Sequence, residues 1–429
     1  MKENHLLARS PFTGASPLNR AFAVLFAAGV LLTSRADAQN ASAVAFNSNF
    51  ESGSLGKVEC VSDSHFICHV RGEYDQNGRN RQASWYYFRM DHVRDRDITL
   101  ELADLVGEYN GRPGTHPVTK DTRPVYSYDG VNWQHFEKMD WDEQKVRGIL
   151  RFRPERDRVW IAHIEPYTTA DLYSLLESVR SCPHLRTEVI GKSAGGRDLL
   201  LLTVTNFEVP DDGKKVVWLM ARQHAWETGG SFAAEGAIRF AASAEAQARE
   251  LRDRIVFKFT PMVDPDGVAR GGVRFNANGY DLNRHWQKHD LRNPQLLKLM
   301  PEIWYFKKAI VHCSRAEKPV DLLVYLHNTE YSSFIDDAPP GHAQGCEIVA
   351  RFYDLLLRET EFDAAHPPRP PTLGVNMVPG VLTVLMELKV MKSKRLGRYP
   401  TGADRIEFGR GLARCMALAV LDEEDGVVK

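Results

Sequence analysis

The run Val216-Val217-Trp218-Leu219-Met220 is apolar at every position. An unbroken run of this kind fits a strand covered on both faces, the condition of a parallel sheet flanked by helices. The surrounding sequence agrees. Past Pro166, a capping Thr168 or Thr169 opens a helix through Asp171, Leu172, Leu175, Leu176 and Val179, whose apolar residues recur at three and four. Strands are then predicted over 199–204, 216–220, 255–260, 322–326 and 381–388, alternating with helices over 231–242, 295–311 and 404–421. Alternation of this sort predicts an α/β domain, 165–429, with a mixed, mostly parallel sheet and helices on both faces.

Residues 39–164 have a different texture. Aromatic and alternating segments such as Ser84 to Met90 and Ile98 to Leu102 are separated by polar turns, and Asp129-Gly130 predicts a tight hairpin. No helical periodicity interrupts them, so an all-β sandwich is expected in front of the α/β domain. A hydrophobic fraction of 43% excludes disorder, and 55 basic against 56 acidic residues leave no basic excess for nucleic-acid binding.

Lys2, Arg9 and Arg20 precede the apolar run Ala21 to Leu32 and the small-x-small pattern Ala36-Asp37-Ala38. This reads as a signal peptide over 1–38, predicting a periplasmic or secreted protein with no membrane span after cleavage. Six cysteines form no CxxC pair; Cys60 and Cys68 are close enough in sequence to face each other across a hairpin, or else each is a buried free thiol. Pro367-Pro368-Arg369-Pro370-Pro371 reads as a stiff surface loop.

In open α/β sheets, ligands bind beyond the carboxyl ends of the strands. His224 and Glu227 follow the 216–220 run, Asp264-Pro265-Asp266-Gly267 follows 255–260, and His327 follows 322–326. Glu387 interrupts the apolar run 382–388, where a carboxylate is costly unless it is used. Two imidazoles and a carboxylate suit one zinc per chain with a position left open for water, and Glu387 would be the general base.

The ordered set His224-x-x-Glu227, Asp264-Pro265-Asp266-Gly267-Val268, Arg274, Gly279-Tyr280-Asp281-Leu282-Asn283-Arg284 with Trp286, His327 and Met386-Glu387-Leu388 resembles the zinc carboxypeptidases of the carboxypeptidase A type. Asn49-Phe50-Glu51-Ser52-Gly53, Trp85-Tyr86-Tyr87-Phe88 and Pro166-Tyr167-Thr168 resemble the β-sandwich of the cytosolic carboxypeptidase subfamily, known for removing glutamates from protein tails. The resemblance implies that His224, Glu227 and His327 bind zinc and that Asp281 orients His224. It also implies that Arg274 stabilises the oxyanion, that Asn283 and Arg284 hold the substrate's terminal carboxylate, and that Glu387 moves the proton. Asp264 stands where the family has Asn, which implies a changed turn and the same chemistry. Asn328-Thr329 replaces Gly-His after the second histidine, and no substrate-contacting tyrosine aligns.

The resulting expectation is an exported zinc metallocarboxypeptidase acting on peptide or protein C termini, with acidic preference if Arg369, Lys389 or Arg395 lines the pocket. Hydrolysis of cell-wall muropeptides is the alternative among enzymes, and a catalytically silent binding module is the alternative outside them.

Overall fold

The computed structural model describes residues 43–114, 116–287, 290–315, 319–336, 343–369 and 378–421. The segment 1–38 and Pro370-Pro371 therefore lie outside the described residues.

Two five-stranded sheets form the N-terminal sandwich, around a core that includes Phe66, Phe88, Leu100, Leu150 and Ile161. Strands His65–His69 and Ile98–Ala103 pair in parallel, whereas the other pairs in these two sheets are antiparallel. A smaller four-stranded sheet, which includes Glu73–Tyr74, lies beside them in the chain order. Asp129 and Gly130 do close a hairpin, but its strands Val125–Ser127 and Gln134–His135 leave a longer loop than the dipeptide suggests. The cysteine pair is corrected here. Cys60 faces Phe66 and Cys68 faces Val58 in the register, and Cys60 is exposed while Cys68 is buried, so the two thiols stay apart.

The α/β half is built on a seven-stranded sheet whose middle strands, Ile255–Thr260, Lys215–Met220, Leu322–Thr329 and Thr383–Lys389, run parallel. Leu185–Lys192, Asp198–Val204 and Phe334–Asp336 complete it as antiparallel members. Alternate residues of Lys215–Met220 serve two cores. Val217 and Leu219 join the core that includes residues of helices Thr228–Ala242 and Gly402–Val420, while Val216, Trp218 and Met220 join the one that includes Ile303, Phe306 and Ile310. This strand is thus covered on both faces, as its continuous apolar sequence requires. Among the described residues, no helix is long and apolar enough to cross a membrane.

The helix expected over 295–311 is two helices, Pro294–Leu299 and Pro301–Arg315, because Pro301 bars Met300 from helical geometry and restarts the helix behind it. The sandwich and the α/β half share a cluster of Trp85, Tyr87, Val125 and Ala162 with Trp226 and Val273. Trp226 sits between His224 and Glu227 in sequence, so this shared cluster reaches the candidate site itself.

Candidate metal centre and active site

Strand Lys215–Met220 is followed in the sheet by Ile255–Thr260 on one side and Leu322–Thr329 on the other. The connection reverses direction there, which opens a crevice at the strand ends. Beyond Met220 the chain turns sharply at Arg222, whose φ is +64°. Its buried guanidinium donates to the Ala225 carbonyl at 2.8 Å and to the Ser231 hydroxyl at 3.1 Å, fixing the turn that presents His224. Sequence reasoning missed Arg222, which carries no signal beyond its place before His224. It also missed Gln223, whose side-chain oxygen accepts from the Trp286 indole at 2.8 Å.

Glu227 begins helix Thr228–Ala242 but caps no backbone N–H, so its carboxylate is available to the site. One oxygen lies 2.6 Å from His224 Nδ1 and the other 2.8 Å from His327 Nδ1. Donor atoms of these three residues all fall within 4.8 Å of one another, and each residue is at most 2% exposed. His224 Nε2 is 3.1 Å from Asp281 Oδ1, and Asp281 Oδ2 accepts from Arg274 Nε at 2.6 Å. Asp281 also starts the turn Leu282–Arg284 by accepting from Asn283 N at 3.0 Å. Parallel pairing sets Glu387 directly beside His327, and its Oε2 is buried without a partner.

Charge follows this geometry. Burial opposes ionisation of Glu227, but the two imidazoles outweigh it and draw its carboxyl down to about 2. Burial and the neighbouring Glu227 charge push the Glu387 carboxyl up to about 8, with His224 and Arg274 acting in the opposite sense. Asp281 is held well below the usual carboxylate range because Arg274 and His224 overcome its burial. One carboxylate is thereby fixed as an anion between two imidazoles, and another is poised to exchange a proton.

This donor set fits zinc. Two Nδ1 atoms and one carboxylate form a three-ligand group of the open type, and the far nitrogen of His224 is already oriented by a carboxylate, the usual support for a metal-bound imidazole. His224 faces carboxylates at both ring nitrogens, and although burial and Arg274 lower its pKa, Glu227 and Asp281 outweigh them and raise it.

Asn283 and Arg284 lie next to Asp281, with Asn283 buried, its Oδ1 unpartnered, and Arg284 exposed. The three basic candidates separate clearly. Lys389 Nζ is buried against Asp363 at 2.5 Å, and Arg395 donates to the carbonyls of Leu357 and Phe362, so both serve the scaffold. Arg369 pairs with Asp336 at 2.6 Å and stacks over Phe334, the residue in register with Glu387. Asn328 ties the Leu388 carbonyl to Gly230 N, at 2.9 and 3.3 Å, a strut between strand and helix. Tyr325 is close to the site, its ring 5.3 Å from that of His327, but its hydroxyl is buried.

Asp264 caps helix Pro265–Ala269 through Gly267 N at 2.9 Å and is fully buried. Burial and the Glu302 charge push its carboxyl far up, favouring the neutral acid, which resembles an amide. In the unfolded chain the same carboxyl ionises above pH ~4, so folding works against that ionisation at neutral pH and not in acid. Asp264→Asn should therefore raise the melting temperature at neutral pH, with the gain shrinking as pH falls toward ~4. Equal or lower stability of the variant at neutral pH would show that this acid is not strained.

A zinc carboxypeptidase family model matches residues 172–298, and a cytosolic carboxypeptidase N-terminal domain model matches 46–164. Cytosolic carboxypeptidase 6 of Mus musculus is 33% identical over 250 residues, covering 56% of this chain and 46% of that protein. Cytosolic carboxypeptidase 2 of Homo sapiens is 30% identical, covering 62% of this chain and 30% of that protein. The chain thus spans less than half the length of either relative. A metallo-carboxypeptidase from Burkholderia cenocepacia has the same fold, with a TM-score of 0.75 at 24% identity over 88% of this chain and 99% of that one. The relatives overturn the expected export, since both are named cytosolic carboxypeptidases. The chain thus carries a zinc carboxypeptidase domain behind a cytosolic carboxypeptidase N-terminal domain.

Proposed function

We propose that the protein is a cytosolic zinc metallocarboxypeptidase that hydrolyses the C-terminal bond of peptides or protein tails. The observation that carries this reading is the joining of both Nδ1 atoms through Glu227, with Asp281 and Arg274 on one side and Glu387 on the other. His224, Glu227 and His327 would hold the zinc. When bound, zinc supplies Lewis acidity, polarising the scissile carbonyl and acidifying water. Glu387 takes the proton of the attacking water and returns it to the leaving amine. Arg274, kept charged by Asp281 and Glu227 against its burial, meets the negative charge that develops on the carbonyl oxygen. Asn283 and Arg284 receive the terminal carboxylate, which confines cleavage to the chain end.

Metal analysis is expected to find about one zinc per chain, and chelation to abolish hydrolysis. A chain that stays zinc-free after reconstitution would end this reading. Arg284→Ala should cut kcat/KM on a free-acid peptide by about 10–100-fold while narrowing the preference for free acid over C-terminal amide, because the lost bond is one to an ionised group. An unchanged preference would point to a different carboxylate anchor.

For side-chain specificity we propose an acidic preference mediated by Arg369, whose side chain is 43% exposed. A panel of peptides ending in acidic, basic and apolar residues, read by mass spectrometry, tests this. Faster cleavage after Lys or Leu than after Glu would discard it.

A further inference from the structure

We infer that Glu73, on the small four-stranded sheet of the N-terminal domain, is the positioning residue for Arg274, so that the N-terminal domain is a structural part of the active site. This inference rests on the carboxypeptidase reading for its kinetic consequence, though not for the contact itself.

The loop between Pro265–Ala269 and the turn Leu282–Arg284 carries both Arg274 and Asp281. In its middle, three successive backbone N–H groups, those of Val273, Arg274 and Phe275, converge on one oxygen of Glu73 at 2.8, 2.6 and 2.9 Å. Successive N–H groups turned to one point form an anion-binding nest, and here the anion is a side chain from the other half of the chain. The second Glu73 oxygen accepts from Arg270 at 2.9 and 2.5 Å, and Arg270 in turn donates to the Phe275 and Asn276 carbonyls. The Glu73 side chain is 13% exposed, so water does not screen these bonds strongly.

Both flanks of the loop are pinned by the same N-terminal domain. Ser52 N donates to the Ala269 carbonyl at 3.1 Å, and Arg71 donates to the Arg270 and Gly271 carbonyls at 3.0 and 2.9 Å. At the far end, Gln76 N donates to the Gly279 carbonyl at 3.0 Å. Gly271 and Gly279 have φ of +66° and +82°, and a Cβ there would lie 2.3 Å from Gly53 O and 2.6 Å from Gln76 N. The two halves meet backbone to backbone at both points, which only glycine permits.

From the nest the path to the metal ligands is short. Arg274 bonds Asp281, and Asp281 bonds His224. Backbone pairing of Phe275 with Asp281, and the bond from Trp226 N to the Val273 carbonyl at 3.1 Å, bind the loop to the turn that holds His224. Releasing Glu73 would free the backbone of Arg274 while leaving the zinc ligands tied to one another.

The test compares Glu73→Ala with wild type in two measurements. Hydrogen–deuterium exchange of the peptide spanning 272–276 should accelerate by at least ~tenfold in the variant, a readout that requires no turnover. kcat/KM should fall by about 10–100-fold, chiefly in kcat, with zinc content unchanged. In an Arg274→Ala background the same substitution should cost less than ~threefold, because Glu73 acts through Arg274. Glu73→Gln keeps the volume and an acceptor oxygen, should give intermediate values, and serves if the alanine variant does not fold. Unchanged exchange in both variants, or an equal kinetic cost with and without Arg274, would overturn the inference. An Arg274→Ala enzyme with full activity would instead remove the catalytic role of Arg274, and exchange would still decide whether Glu73 holds the loop.

Discussion

Glu387→Gln is expected to keep about one zinc per chain and a near-normal KM while kcat falls by about 10²–10⁴-fold, the range for a lost general base. Three structural facts support an effect of that size. The residue is held by strand Thr383–Lys389 in register with His327, so the substitution shifts no neighbouring group. Its Oε2 is buried with no protein partner, which leaves that oxygen for solvent or substrate. Its carboxyl is pushed up to about 8 by burial and by Glu227, giving it the proton affinity that a base working near neutral pH needs. Glutamine preserves the volume while removing the negative charge and the ability to take a proton. Peptide hydrolysis by the reconstituted variant, measured beside its zinc content, separates this role from a structural one; full activity would require another base.

The general reading of the site was available from sequence because parallel strands make strand ends legible. Val216 to Met220 and Leu322 to Leu326 announce themselves by continuous apolarity, and the first polar residues beyond them must emerge at the crevice. Glu387 was legible for the opposite reason, as a carboxylate inside such a run. Pro301 also carried its signal, and the break it makes in the helix follows from proline chemistry alone. Helix Ala343–Glu359 was missed although Ile348, Val349, Phe352 and Leu356 repeat at helical spacing. Strand Leu185–Lys192 had no such signal, because it lies at the sheet edge with mostly exposed side chains and so has no alternation to read.

Other parts of the site exist only in three dimensions. Lys389 and Arg395 looked equivalent to Arg369 in sequence, yet Asp363 and two main-chain carbonyls engage them. Glu73 lies 201 residues from Arg274 and has no motif around it, so only the folded chain could reveal their contact. The N-terminal half also shapes the site. Its bonds to the 269–279 loop give it an additional function, since they hold that loop at Ala269, at the three N–H groups of Val273 to Phe275 and at Gly279.

Glu227→Ala is expected to lose zinc more completely than any other single change in the site. Its carboxylate is the only described group that hydrogen-bonds both imidazoles, so in the proposed site its removal would take away one ligand and also the tie that sets the two rings facing each other. Asp281→Asn should weaken zinc binding by about 10–100-fold, the usual cost of losing a group that orients a metal-bound histidine, because the amide can still accept the bond from His224 Nε2. The loss in Glu227→Ala should exceed that range, and the two variants are ranked by competition against a chelator of known affinity. Stability provides a second readout. Zinc at about 100 times its dissociation constant stabilises the folded chain by ~2.7 kcal/mol, so wild type should melt lower after chelation. Glu227→Ala should show no such shift, and Asp281→Asn a reduced one. If Glu227→Ala kept wild-type affinity, the cation would have to sit elsewhere in the crevice; because Glu227 is 2% exposed between two imidazoles, its role would then be structural.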